Sequence, residues 1–372
     1  MLLNAGRSIA CVAALAVCML PTLDAQGRRG GGPAGGGTAA GARTGTVEHI
    51  TVHGKSLEGN LEGDSPDREV SVYLPPSYAA EQTRRYPVVY LLHGYGGRDD
   101  TFNSRLAKLP ESADRLAATQ GFSELIVVTP NAFTLHKGSM YSDSVTSGNW
   151  ENFVAQDLVA YVDGHYRTIA ARISRGLAGH SMGGYGAIRI GMKRPEVFSS
   201  LYVMSACCLA ANTPRPEAMA PAEAIKTREQ AEEAARAPGF GPSVNLASAA
   251  AWSPNPNNPP LYLDLPVKDG KVRPDIVAKW AANAPLTMIE GYVPGLNAFY
   301  AIAIDIGTKD NLITTNRQLN QALTRLKIPH SYEEYDGDHT NRVGERIERN
   351  VLPFFSKSLA SPANPTSPAV QH

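Results

Sequence analysis

A chain of 372 residues, 43% of them hydrophobic, is long enough for one large domain or two modest ones around a sizeable buried core. Its 35 basic side chains balance 35 acidic ones, so no global field draws it to nucleic acid or to an anionic membrane surface. Apolar runs at 88–92 and 125–128 demand burial and exclude disorder over most of the chain.

In chain order, Arg7, an apolar stretch at 9–20, Pro21 and a small-residue site ending at Ala25 read as a secretory signal peptide over residues 1–25. The stretch is too short to span a bilayer comfortably, so the expectation is a secreted or periplasmic protein with no stable membrane insertion after the leader is removed; a retained anchor is the competing reading. Residues 26–45, dominated by Gly, Ala and Arg, predict a flexible linker, and the Pro-, Ser- and Ala-rich residues 360–372 a loose tail. The folded domain is expected over 46–359.

The predicted strands are apolar runs at 70–74, 88–92, 125–129, 201–206 and 300–305, separated by segments of helical period. Strands alternating with helices predict an α/β fold with a mostly parallel central sheet flanked by helices. The run at 88–92 is apolar throughout, as a strand covered on both faces requires. At 70–74, Glu69, Ser71 and Tyr73 alternate with apolar residues, which predicts an outer strand with one wet face. Helices are expected at 152–166 and 184–194, the second presenting Gly186, Ala187 and Gly191 for close packing on a sheet. Residues 209–283, rich in Pro and Ala with a charged helical stretch at 222–237, break the alternation. They read either as an insertion over the C-terminal ends of the strands or as a surface excursion with no substrate role.

Cys11 and Cys18 leave with the leader, so the mature chain keeps only the adjacent pair Cys207-Cys208 and no disulfide framework. The pair is either a vicinal disulfide in a strained eight-membered ring or two buried free thiols.

Gly179-His180-Ser181-Met182-Gly183 has the G-x-S-x-G spacing of a strand-to-helix turn that exposes a serine hydroxyl, with Gly176-Leu177-Ala178 before it as a short strand. Acyl transfer needs two N–H donors where negative charge develops on the carbonyl oxygen. The residue after the serine, Met182, supplies one. The glycine-rich loop His93-Gly94-Tyr95-Gly96-Gly97, directly after the strand at 88–92, supplies the other at Tyr95. A serine hydroxyl also needs a base oriented by a carboxylate. In the chain order serine, acid, histidine, Asp310 lies on the loop after the strand at 300–305; Asp305, still tied to that strand, is the second choice. His339, on a loop between the strand-like 330–335 segment and the last helix, is the base. His330 opens that strand and His372 belongs to the tail. His180 and His93 are expected to shape the site rather than titrate in it.

These segments, together with Val70-Ser71-Val72-Tyr73-Leu74-Pro75-Pro76-Ser77-Tyr78, Asn149-Trp150-Glu151, Tyr166-Arg167-Thr168-Ile169 and Gly337–Thr340, resemble the esterase family of α/β hydrolases that includes feruloyl and acetylxylan esterases, S-formylglutathione hydrolases, enterochelin esterases and mycolyltransferases. The resemblance covers nearly the whole folded body. It implies an α/β-hydrolase fold, Ser181 as nucleophile, His339 as base, Asp310 as acid, Tyr95 and Met182 as oxyanion donors, and no metal or organic cofactor. It also suggests Trp150, Glu151 and His180 as substrate-binding residues, with packing of Trp150 on the following helix as the alternative. The expected activity is that of a serine carboxylesterase acting on small-molecule or polysaccharide-linked esters, feruloyl or acetyl esters among them. An acyltransferase to a sugar or lipid hydroxyl, and a catalytically silent carbohydrate-binding relative, are the rival readings.

Overall fold

The computed structural model describes residues 44–361. The expected leader, nearly all of the linker and nearly all of the tail lie outside them. The folded body reaches slightly further than expected at both ends. The Gly45 N–H donates to Asp114 Oδ1 at 2.8 Å, and the Ala360 N–H to the Ile173 carbonyl at 2.9 Å.

Eight strands form the sheet: β1 (Thr46–His53), β2 (Asp67–Leu74), β3 (Val88–Leu92), β4 (Ile126–Pro130), β5 (Arg175–His180), β6 (Ser200–Met204), β7 (Ala301–Gly307) and β8 (Ser331–Tyr335), in the order β1-β2-β4-β3-β5-β6-β7-β8. β1 with β2 and β2 with β4 run antiparallel. All other neighbours are parallel. The period-2 geometry of a strand splits the core in two. Val88, Tyr90 and Leu92 enter one apolar cluster with Trp150, Phe153 and Tyr185, while Val89 and Leu91 enter the other with Phe102, Ile347 and Phe355. Each such side chain, fully buried, contributes about 1.5–3 kcal/mol of transfer free energy.

Three strands were not separately expected or only sketched: β1, β5 and β8. The expectation of a wet face on β2 is corrected. Glu69 is exposed as expected, but Ser71 is buried with its hydroxyl on Asp99 at 2.8 Å, and the buried Tyr73 donates its hydroxyl to Asp114 at 2.7 Å, so the wet face is confined to the start of the strand.

Helix α1 (Leu109–Ala117) is followed by the helical segment α2, which runs from Trp150 to His165 through three consecutive parts, Trp150–Asn152, Phe153–Asp157 and Leu158–His165, the middle one a π-type turn. It starts two residues before the expected point because the Asn149 side chain accepts the Asn152 N–H and caps it. α3 (Met182–Lys193) follows β5 directly and is buried over almost its whole length.

Residues 209–283 are ordered. Helices α4 (Pro216–Glu223), α5 (Arg228–Arg236), α6 (Ser243–Trp252) and α7 (Pro274–Ala282) enclose their own small core of Ala222, Ala231, Leu246, Ala249, Leu261 and Leu263. The one charged helix expected at 222–237 is two. The first ends at Glu223, with Ala224 as its C-cap, and Thr227 opens the second with a reciprocal capping box to Gln230, a start signal that hydrophobic period does not carry. Among the described residues no helix is long and apolar enough to cross a membrane.

The carboxyl ends of β3, β5, β6, β7 and β8 all open at one edge of the sheet. The loops leaving them carry the residues singled out by sequence.

Candidate active site

Ser181 sits between β5 and α3 with φ 57° and ψ −113°, a strained backbone for a residue with a side chain. The turn closes only because its flanking glycines lack side chains: a Cβ on Gly179 would lie 2.1 Å from the Gly183 carbonyl oxygen, and one on Gly183 would lie 2.0 Å from that of Leu92. The Ser181 N–H donates to the Met204 carbonyl at 3.0 Å, and the Cys207 N–H donates to the Ser181 carbonyl at 3.2 Å. The turn is thereby tied to β6.

The three side chains expected to converge do so. His339 Nε2 is 2.9 Å from Ser181 Oγ, and His339 Nδ1 is 2.6 Å from Asp310 Oδ2. With Nδ1–H donating to the carboxylate, Nε2 is left to accept the serine proton. The other Asp310 oxygen accepts the Leu312 N–H at 2.9 Å. Burial would raise this carboxyl, but the hydrogen bonds from His339 and Leu312 outweigh it and hold the group below its ordinary range, ionised at neutral pH. Asp305, the second choice, belongs to another network. It accepts from the Tyr202 hydroxyl and from Arg346 Nε, each at 2.9 Å, and burial, opposed by Arg346, lifts its carboxyl to about 6.

The loop at 93–97 is held from several sides. His93 is fully buried; it accepts the Ala132 N–H on Nε2 at 2.9 Å and donates from Nδ1 to the Gly94 carbonyl at 2.8 Å, so both ring nitrogens work in the neutral form. Burial lowers its pKa to about 4. The Gly96 N–H donates to the Lys137 carbonyl at 3.0 Å and the Tyr95 hydroxyl to the His136 carbonyl at 2.8 Å. Gly94 passes so close to Ser181 that a Cβ there would be 3.3 Å from the serine Cβ. Within the described residues the N–H groups of Tyr95 and Met182 have no hydrogen-bond acceptor. They remain available at the site, Met182 as the first residue of α3, where the helix leaves its N–H groups unpaired.

His180 lines the site without touching Ser181 Oγ. Its Nε2 donates to the His339 carbonyl at 2.8 Å, and its ring lies 4.8 Å from the His339 ring. Burial, with His339 alongside, pushes its pKa down to about 4, so it stays neutral and holds the His339 loop through one hydrogen bond.

Two cavities flank Ser181 and share Tyr95, Phe240, His339 and Thr340. One, of about 490 Å³, adds polar and basic groups: Arg105, Lys137 and His180. The other, of about 450 Å³, is walled by Met140, Met182, Cys207, Cys208, Val244 and Leu312. The insertion supplies Phe240 to both walls and Val244 to the second. Phe240 is 59% exposed and stacks on the Tyr95 ring at 5.7 Å. Lys137 Nζ holds its segment by donating to the carbonyls of Ala237 and Gly239, at 3.0 and 2.8 Å. Phe240 and Lys137 escaped sequence reasoning. The Pro238-Gly239-Phe240-Gly241-Pro242 string, an aromatic between two glycines, was the available signal.

Trp150 and Glu151 do not meet the expectation of substrate binding. Trp150 is 1% exposed, donates from Nε1 to the Ser147 carbonyl at 2.8 Å and lies under the Arg68 guanidinium. Glu151 is buried in an ion-pair cluster with Arg189, at 2.7 Å, and Lys193, joining α2 to α3. Neither lines a cavity beside Ser181. A further cavity of about 430 Å³ lies within the insertion, walled by residues such as Asn258, Asp264 and Arg273, and shares none of the loops above. Among the described residues no group of three or more His, Cys, Asp or Glu side chains is placed to hold a metal ion.

The family described as "Putative esterase" matches residues 65–343. The protein named "Esterase Rv1288" from Mycobacterium tuberculosis (strain ATCC 25618 / H37Rv) is 36% identical over 135 residues, 35% of this chain and 27% of that protein. An "Endo-1,4-beta-xylanase/feruloyl esterase" from Xylanibacter ruminicola is 29% identical over 185 residues, 49% of this chain and 24% of that one. The chain thus spans about a quarter of the length of these curated relatives. Among solved structures, a ferulic acid esterase superposes with a TM-score of 0.60 at 23% identity, covering 85% of this chain and 99% of its own. An S-formylglutathione hydrolase from Staphylococcus aureus gives 0.56 at 17% identity, covering 84% and 99%. At these identities the structural likeness establishes the α/β-hydrolase fold.

Proposed function

From the chain's membership of this esterase family, which the match over residues 65–343 establishes, we propose that it is a serine carboxylesterase that hydrolyses carboxylic esters through an acyl-enzyme on Ser181. The observation that carries this reading is the unbroken chain of contacts Ser181 Oγ to His339 Nε2 to Asp310, at 2.9 and 2.6 Å, at the mouth of two cavities.

Ser181 Oγ attacks the ester carbonyl carbon while its proton passes to His339 Nε2. The oxyanion accepts from the Tyr95 and Met182 N–H groups, which are fixed before substrate arrives and need no reorganisation. Asp310 stabilises the imidazolium and keeps its tautomer. The tetrahedral intermediate expels the alcohol, which takes the proton from His339. Water then attacks the acyl-enzyme with His339 as base, releasing the acid and restoring Ser181. The acyl group suits the apolar cavity walled by Met140, Met182, Val244 and Leu312. The alcohol suits the more polar cavity on the other side. An aromatic acyl group of the feruloyl kind suits the apolar wall and agrees with the xylanase/feruloyl esterase among the relatives.

Replacing Ser181 with Ala should reduce kcat/KM on p-nitrophenyl acetate and on ethyl ferulate by about 10⁴-fold or more, as expected when a triad member is lost. Retention of more than about one part in a hundred of the activity on both esters would remove Ser181 as the nucleophile.

A further inference from the structure

Cys207 and Cys208 leave β6 beside Ser181 and form part of the wall of the apolar cavity. Their sulfurs are 2.7 Å apart. Cys208 has φ 60°, and the backbone bend it imposes turns two successive side chains toward each other instead of to opposite faces. Both side chains are half-buried and free, and they share their cavity with Ser181, Met182 and His339. The Cys207 N–H also holds the Ser181 carbonyl at 3.2 Å, so the covalent state of this dipeptide bears directly on the turn that presents the serine.

We infer that Cys207 and Cys208 are a reversible modification site, closing to a vicinal disulfide by exchange with a low-molecular-weight disulfide and thereby resetting the wall of the cavity beside Ser181. One thiolate attacks the external disulfide, forming a mixed disulfide and releasing one external thiol. The second cysteine sulfur attacks the first, closing the ring and releasing the second external thiol. Two protein thiols become one disulfide, and the external disulfide is reduced by the same two electrons. The hydrogen bond with Cys208 and burial both hold the Cys207 thiol up. Adjacent Cα atoms are about 3.8 Å apart, less than the roughly 4.4 Å minimum of ordinary disulfides, so the ring is readily reopened by thiols. Closing it replaces two separate thiols by one S–S edge in the wall of the cavity beside Ser181.

The chemistry of closure does not depend on the esterase reading; only its consequence for substrates does. The test uses the full chain, incubated with oxidised glutathione and then with reductant, with two readouts. In the first, the protein is denatured, alkylated and digested, and the peptide carrying both cysteines is weighed. The expected peptide is two hydrogens lighter after oxidation, unalkylated and free of glutathione, and doubly alkylated after reduction. In the second, rates on long-chain and short-chain p-nitrophenyl esters are compared. Their ratio should differ by about threefold or more between the two states, while the double variant Cys207→Ser, Cys208→Ser shows no response to the oxidant. Two alkylatable thiols throughout, or a retained glutathione adduct, would overturn the closure. A closed ring with an unchanged ratio would overturn its role in the cavity wall. Failure of the esterase reading would appear differently, as absence of turnover in both states with the mass change intact.

Discussion

Asp305 and Asp310 lie on either side of the end of β7, and the geometry separates their roles. Asp310 reaches His339, whereas Asp305 is bound to Tyr202 and Arg346. Asp310→Asn should therefore lower kcat by about 10⁴-fold through loss of the correct imidazole tautomer, with little change in folding. Asp305→Asn should leave kcat within about tenfold of the parent and lower the denaturation midpoint instead, because it leaves Arg346 partly unpaired in the interior. Steady-state kinetics and urea denaturation of the two variants check the assignment. His180 makes a prediction of opposite kind. Its folded pKa of about 4 lies below the ordinary histidine value near 6.5, so between those values the unfolded chain binds the extra proton. Its contribution to stability is full above the upper limit and is lost as the pH falls toward the lower one. Asp305, lifted to about 6, works in the other direction, so the whole-protein slope mixes signs. The difference between parent and His180→Gln isolates the histidine. The variant's unfolding free energy should fall less between pH 7 and pH 4.5, by on the order of 2 kcal/mol. Parallel pH curves for the two proteins would show that His180 is not buried neutral.

At the scale of elements, what could be read from the sequence follows from where hydrophobic period dominates. The β3 run at 88–92 was legible to the residue because both its faces are buried. β5 was visible only as a small-residue stub, since Arg175-Gly176 and Gly179-His180 carry neither apolar run nor alternation, and its place in the sheet is decided by packing. The Ser–Asp–His order could be read because each member follows a strand end. The positions of Trp150 and Glu151 could not, because a motif near the site says nothing about which way its side chains point. The same holds for the insertion: its Ala-rich helices were visible as a break in pattern, but that it brings Phe240 over the site is a tertiary fact. Phe240→Ala removes an aromatic surface common to both cavities. It should raise KM for feruloyl or long-chain esters about fivefold to tenfold, with kcat for p-nitrophenyl acetate little changed, in line with the ~1 kcal/mol that an aromatic contact contributes. An equal effect on acetyl and feruloyl esters would place Phe240 outside the acyl path.

Over the whole molecule, the sheet order places five strand ends at one edge, and each contributes a loop to the site: the Tyr95 loop from β3, Ser181 from β5, the cysteine pair from β6, Asp310 from β7 and His339 from β8. Ser181 and His339, 158 positions apart in sequence, thus meet from loops, without regular secondary structure having to bend to reach. Because water and an added hydroxyl compete for the same acyl-enzyme, that intermediate is common to hydrolysis and to transfer, and its existence is the claim on which both depend. Rapid mixing with p-nitrophenyl acetate, acid quench and mass analysis of the peptide bearing Ser181 measures it directly. The account predicts one acetyl group on that peptide, formed in a burst with p-nitrophenol release and absent in Ser181→Ala. Full turnover with no acyl adduct at Ser181, or with the adduct on another side chain, would contradict it.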